Sequence, residues 1–239
     1  MKTIKTTQLP ILLFIFFFSC CNNNSNKKCS DYYAREISNQ IIVDFDDCEF
    51  ESNPEKIKDA IQKLQQKGFQ LNDTCRCDPT LILFDDIESV SVNPEERLET
   101  AKDQIRPEGL GNAIFNLEIQ LPSVPEYRQR KFSSDQVKLQ KQITVAVIDG
   151  GLNPDIFTDY LWEKPEGKCG DDYGLDLTVD GTSSNHANLV GRLIADGIDP
   201  ESVKLMDINI FDSLGRGDLF NASCGMSYAI QNNADFINT

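Results

Sequence analysis

Apolar residues fall into a few well-separated runs along the chain. The first, Ile11 to Phe18, is unbroken and lies between Lys2 and Lys5 on one side and an asparagine-rich tract on the other. Eight helical residues at about 1.5 Å each cannot cross a hydrocarbon core of about 30 Å, so residues 1–19 read as a signal peptide. From Ile37 to Phe45 a β-branched stretch with partial alternation predicts a strand. Asn53-Pro54 then carries a helix-start signature, asparagine at the N-cap and proline in the first turn. Ile57, Ala60, Ile61 and Leu64 recur at helical spacing, Lys56, Lys58, Lys63 and Gln65 take other faces, and Gly68 supplies a stop. A second apolar run, Leu81 to Phe84, completes a strand–helix–strand order that predicts a small α+β module over residues 31–90, of the ferredoxin-like kind. From Asp85 to Gln142 the chain turns acidic and is punctuated by Pro94, Pro107, Pro122 and Pro125, and residues 91–142 read as a linker carrying one short helix from Pro94 to Lys102.

The pattern changes at Ile143. Ile143 to Ile148 is apolar except for Thr144, as in a strand buried on both faces of a parallel sheet, and it ends in Asp149-Gly150-Gly151. A carboxylate at the carboxyl end of such a strand stands where α/β sheets build their sites. His186 opens a helix whose predicted buried stripe is Leu189, Val190, Leu193 and Ile194. Val203 to Ile210 predicts another strand, Asp212 to Gly217 a glycine turn, Asp218 to Asn232 an amphipathic helix using Ala222, Met226, Ala229 and Ile230, and Ala234 onward a last strand.

Charge and cysteine content narrow the possible roles. The chain has 23 basic and 38 acidic side chains, a formal charge of −15, which argues against binding nucleic acid. Eight cysteines fit an exported protein better than a reduced cytosolic one. Cys75-x-Cys77, Cys29 and Cys48 could be metal ligands, but the paired C-x₂-C knuckles of structural zinc sites are absent, so disulfides of undetermined pairing are the better expectation and neither metal nor cofactor is expected. Ser19-Cys20-Cys21 directly after the apolar run resembles the lipobox of bacterial lipoproteins. That resemblance implies cleavage before a cysteine and lipidation of its thiol, at Cys20 with Cys21 as the neighbouring choice. Residues 20–30 then form a tether to the membrane of the cell envelope; an ordinary secretory signal is the alternative.

Three motifs in residues 143–239 together resemble the subtilisin family of serine peptidases. VAVIDGG is similar to that family's catalytic-aspartate strand, NHANLVGRLIA to its histidine helix, and the stretch from Val203 to Thr239 to the strand, turn, helix and strand that follow. The resemblance implies a truncated doubly wound parallel sheet preceded by a propeptide-like α+β domain. It makes Asp149 the triad carboxylate and His186 the general base, acting on peptide or protein substrates. The chain departs from the family at Ala187 and Asn188, which replace Gly-Thr, at Leu189, which replaces a second histidine, and at Arg192, which replaces a glycine. The family's Ser-Leu-Gly strand, oxyanion asparagine and nucleophilic serine belong beyond Thr239, so these 239 residues are expected to be inactive as they stand. Ser202, Ser213, Ser223 and Ser227 are rejected as substitutes, and Cys224 reads as a small buried hydrophobe. The alternative expectation is a non-catalytic lipoprotein whose propeptide-like module binds, inhibits or chaperones a peptidase.

Overall fold

The computed structural model describes residues 35–88, 93–121, 131–178, 181 and 183–239. The signal peptide, the lipobox with Cys20, and Cys29 lie outside the described residues. In chain order the elements are β1 (Arg35–Phe45), α1 (Asp47–Ser52), α2 (Pro54–Gln66), β2 (Phe69–Thr74), β3 (Leu81–Asp86), α3 (Pro94–Ile105) and β4 (Gly111–Gln120). These are followed by β5 (Ile143–Asp149), α4 (Pro154–Phe157), β6 (Gly174–Asp176), α5 (Asn185–Ala195), β7 (Val203–Asn209), β8 (Arg216–Asp218), α6 (Leu219–Gln231) and β9 (Phe236–Asn238). The fold is mixed α/β, with an antiparallel sheet in the order β2-β3-β1-β4-β8 and a parallel sheet in the order β6-β7-β5-β9.

Alternation along the strands sets the layers. On β1, Ile41, Val43 and Phe45 face a core with Ile57, Ala60 and Leu64 of α2 and Ala101 and Ile105 of α3, while Ile42 faces the opposite way. On β5, Val145 and Val147 pack with Ala187 and Ala195 of α5, whereas Ala146 and Ile148 pack with Tyr228 and Ala229 of α6. Helix α6 is therefore a shared middle layer. Its Tyr228 side lies on the parallel sheet, and its Phe220 and Cys224 meet Ile42, Leu81 and Leu83 of the antiparallel sheet. The expected single stripe on α6 is corrected accordingly: burial on two sides makes Phe220 and Cys224 core residues and leaves Ile230 exposed.

Four further expectations change. The first module does not end near residue 90, because α3 and β4 complete it and β4 pairs with β1 along most of its length. What remains of the predicted 91–142 linker also packs: Phe132 meets Phe157 edge-on and Tyr160 at a tilt, and the Leu139 N–H donates to Ser202 Oγ at 2.9 Å. Asn53 does occupy the N-cap of α2, but its amide donates to Glu49 instead of accepting from the first turn. On α5, Val190 and Ile194 of the expected stripe pack half-buried against the core, but the buried residues are Ala187, Asn188, Gly191, Arg192 and Ala195, and Leu189 and Leu193 are exposed, Leu193 at 76%. Gly191 lies so close to Leu152 and Phe157 that a side chain there would clash, so close approach outweighs side-chain hydrophobicity at that position of the buried face.

Among the described residues two disulfides tie the connection between β2 and β3 to the second half of the chain. Cys75 bonds Cys224 and Cys77 bonds Cys169, with Cα atoms 5.7 and 5.6 Å apart. Cys224 is therefore half of a cystine rather than a free buried hydrophobe. Among the described residues no cluster of His, Cys, Asp and Glu could hold a metal ion, and no helix is long and apolar enough to cross a membrane.

Candidate functional site

Strand β5 ends at Asp149, and its backbone continues into a turn that only small residues can make. Gly151 has φ +81°, a left-handed conformation that glycine adopts without strain. A side chain on Gly150 would strike Ser184 and Leu121. Ser184 is the N-cap of α5: its Oγ accepts from the Ala187 N–H at 3.0 Å, and its own N–H donates to Gly151 O at 3.0 Å. These bonds tie the start of α5 to the turn after β5 and place His186, in the first turn of the helix, beside Asp149.

The two residues that sequence singles out are brought together. His186 Nδ1 lies 2.6 Å from Asp149 Oδ2, although 37 positions separate them in the chain. Asp149 is 4% exposed, and its Oδ1 accepts from the Gly150 N–H at 2.6 Å. The imidazole is 27% exposed. Hydrogen bonding to the carboxylate raises the His186 pKa above its ordinary value, opposed by partial burial and helped by the nearby negative charge. With Nδ1 engaged, Nε2 is the ring nitrogen that can accept a proton from an incoming hydroxyl.

Supporting residues escaped the sequence reading. Asn188 Oδ1 accepts from the Asn153 N–H at 2.8 Å, so a buried amide on α5 fixes the loop after Gly151. The Leu152 N–H donates to Asp207 Oδ1 at 3.0 Å. Asp207 is only partly buried by exposed area, but loss of solvation, with Asp176 and Asp149 nearby, pushes its carboxyl up to about 7. The Ser-x-His spacing before α5 was a usable N-cap signal, whereas nothing local distinguished Asn188 or Asp207. Arg192, noted above as a departure from the resemblance, sits 4.6 Å over the Phe132 ring and donates to Lys131 O, anchoring the segment that follows residue 130.

A strand edge leads to the same place. β8 pairs antiparallel with β4, Ile119 opposite Gly217 and Gln120 opposite Arg216, and the Leu121 N–H donates to Gly215 O at 2.8 Å. Leu121 thus ends beside Gly150, one residue from Asp149. Of the serines after His186, Ser202 accepts from Leu139 and Ser227 donates to Asp78, while Ser223 lies within α6 and Ser213 in the turn before β8. No protein-family model matches the chain, and no curated protein matches it.

Proposed function

We propose that residues 143–239 carry the carboxylate–imidazole half of a subtilisin-like serine peptidase site, and that β8 is an edge for a bound peptide which β4 occupies within the same chain. The observation that carries this reading is the 2.6 Å contact between a buried carboxylate at a parallel strand's carboxyl end and an imidazole at the start of the helix on that strand's face. Asp149 holds one tautomer of His186 and stabilises the imidazolium. His186 takes the proton of an attacking hydroxyl at Nε2 and returns it to the leaving amine. The attacking serine and the oxyanion donors belong to the family's later segments. On the same reading the protein is exported and held on an envelope membrane through a lipid on Cys20.

Two tests bear on this. The coding sequence 3′ of the Thr239 codon is expected to continue in frame through Ser-Leu-Gly to Gly-Thr-Ser, and the longer product to react with a fluorophosphonate in a manner lost in His186→Ala. An immediate stop, together with no fluorophosphonate labelling, refutes the peptidase reading. The alternative, a module acting on another peptidase, is disfavoured because β4 already has a partner in β8 of its own chain.

A further inference from the structure

Both disulfides join the amino-terminal module to the unit that carries Asp149 and His186. Cys75 and Cys77 sit in the connection between β2 and β3, Cys224 lies in α6, and Cys169 precedes β6. The intervening chain passes from β4 to β5, so both bridges span any backbone cut between residues 121 and 143. The same corner is tied non-covalently. Arg76 pairs with Asp171 at 3.2 Å, and the Ser227 hydroxyl donates to Asp78, a buried carboxylate that also accepts from Thr80. The bridges differ in access: Cys75 and Cys224 are buried in the shared core, and Cys169 is exposed.

We propose that the two cystines are a covalent latch, which would keep the module on the unit carrying Asp149 and His186 after any backbone cut between β4 and β5 and release it only by stepwise reduction. That this unit is a peptidase rests on the function proposed above; the latch does not. Each step is thiol–disulfide exchange with a dithiol: the cystine gains two electrons and two protons to become two thiols, and the dithiol closes to its own disulfide. Attack requires access to sulfur, so Cys77–Cys169 opens first and Cys75–Cys224 still holds the pieces together.

The test uses the exported chain with residues 124–129 replaced by the recognition sequence of a specific protease. After cutting, the two pieces are expected to co-elute at nanomolar dilution without reductant. Under graded dithiothreitol, alkylation and peptide mass mapping should find Cys77 and Cys169 modified first, with the pieces still joined. Separation should follow modification of Cys75 and Cys224, in urea too dilute to alter the far-ultraviolet circular dichroism. Separation without reductant overturns the latch, as does persistence of the complex after all four thiols are alkylated. Prior modification of the buried pair overturns the order of opening. Amide exchange of residues 215–218 is read in parallel. Fast exchange in the uncut, oxidised chain would sink β4 as occupant of the peptide edge while leaving the latch intact.

Discussion

Replacing Asp149 with asparagine isolates the contact on which the functional reading rests. The side chain keeps its shape and its acceptor for the Gly150 N–H, but it loses its charge and turns an amide toward His186 Nδ1. The imidazole must then accept at Nδ1 and carry its proton on Nε2, the wrong tautomer for a base. A hydrogen bond to a charged group contributes about 1.5–3 kcal/mol, and the 27% exposure of the imidazole places this one toward the lower end, about 1–2 kcal/mol. With a urea dependence of about 2 kcal/mol per molar, the midpoint should fall by about 0.5–1 M. The sign with pH follows from the raised His186 pKa. The charge-dependent part is fully present below the unfolded value of about 6.5 and is lost as pH rises through the folded value. The deficit of Asp149→Asn should therefore be largest near pH 5–6 and shrink on the alkaline side. His186 is the chain's sole histidine, so its Cε1 proton gives an unambiguous NMR titration, expected to move to lower pH in the variant. Equal urea midpoints across this range, with an unmoved titration, would refute the reasoning.

Other substitutions probe the surroundings. Asp207→Asn keeps an acceptor for the Leu152 N–H and removes a carboxyl pushed up to about 7. The native acid's contribution is fully present below an unfolded value of about 3.9 and lost by about pH 7, so the variant should melt higher than wild type at pH 8 and show no gain at pH 4, by scanning fluorimetry. Gly191→Ala puts a methyl 2.7 Å from Leu152 Cδ2 and 3.0 Å from Phe157 Cζ, pushing α5 off the turn after β5. Urea unfolding should register a loss of about 1–3 kcal/mol, and the His186 titration should drift back toward its ordinary value. Arg97→Leu strands the buried Asp86 carboxylate, which now accepts from Arg97 Nε at 2.9 Å and from Nη2 at 2.8 Å. A loss of about 3–5 kcal/mol is expected in urea unfolding, and a change under 1 kcal/mol would contradict the assigned pairing, taking about 1 kcal/mol as the ordinary surface limit.

Much of the second half was legible because its signals are local. Ile143 to Ile148 is apolar except for Thr144, and the glycines after Asp149 mark the strand's end, so the strand and its terminal carboxylate could be read directly. β2 could not, because Phe69 is its sole buried residue and an edge strand of otherwise exposed side chains has no apolar alternation. β4 was hidden within an acidic, proline-flanked stretch, and β8 is three residues around a glycine whose pairing is set from outside. On α5, hydrophobicity pointed to Leu189 and Leu193, whereas packing against β5 selected Ala187 and Ala195, and close approach to Leu152 and Phe157 selected Gly191. A hydropathy pattern measures what a side chain gains from burial, not how near a neighbouring backbone must come.

The chain by itself determined its acidic balance, the apolar segment at its start, most of the strands and helices, and the residue types able to act as base and carboxylate. Each depends on side chains within a turn or two of one another. Tertiary structure alone decided that Asp149 and His186 touch, that Cys75 and Cys77 choose Cys224 and Cys169, that α6 serves two sheets, and that β4 runs along β8 toward Gly150. Those outcomes join positions tens of residues apart. They are fixed by the packing of whole layers, and no local stretch of sequence carries that information.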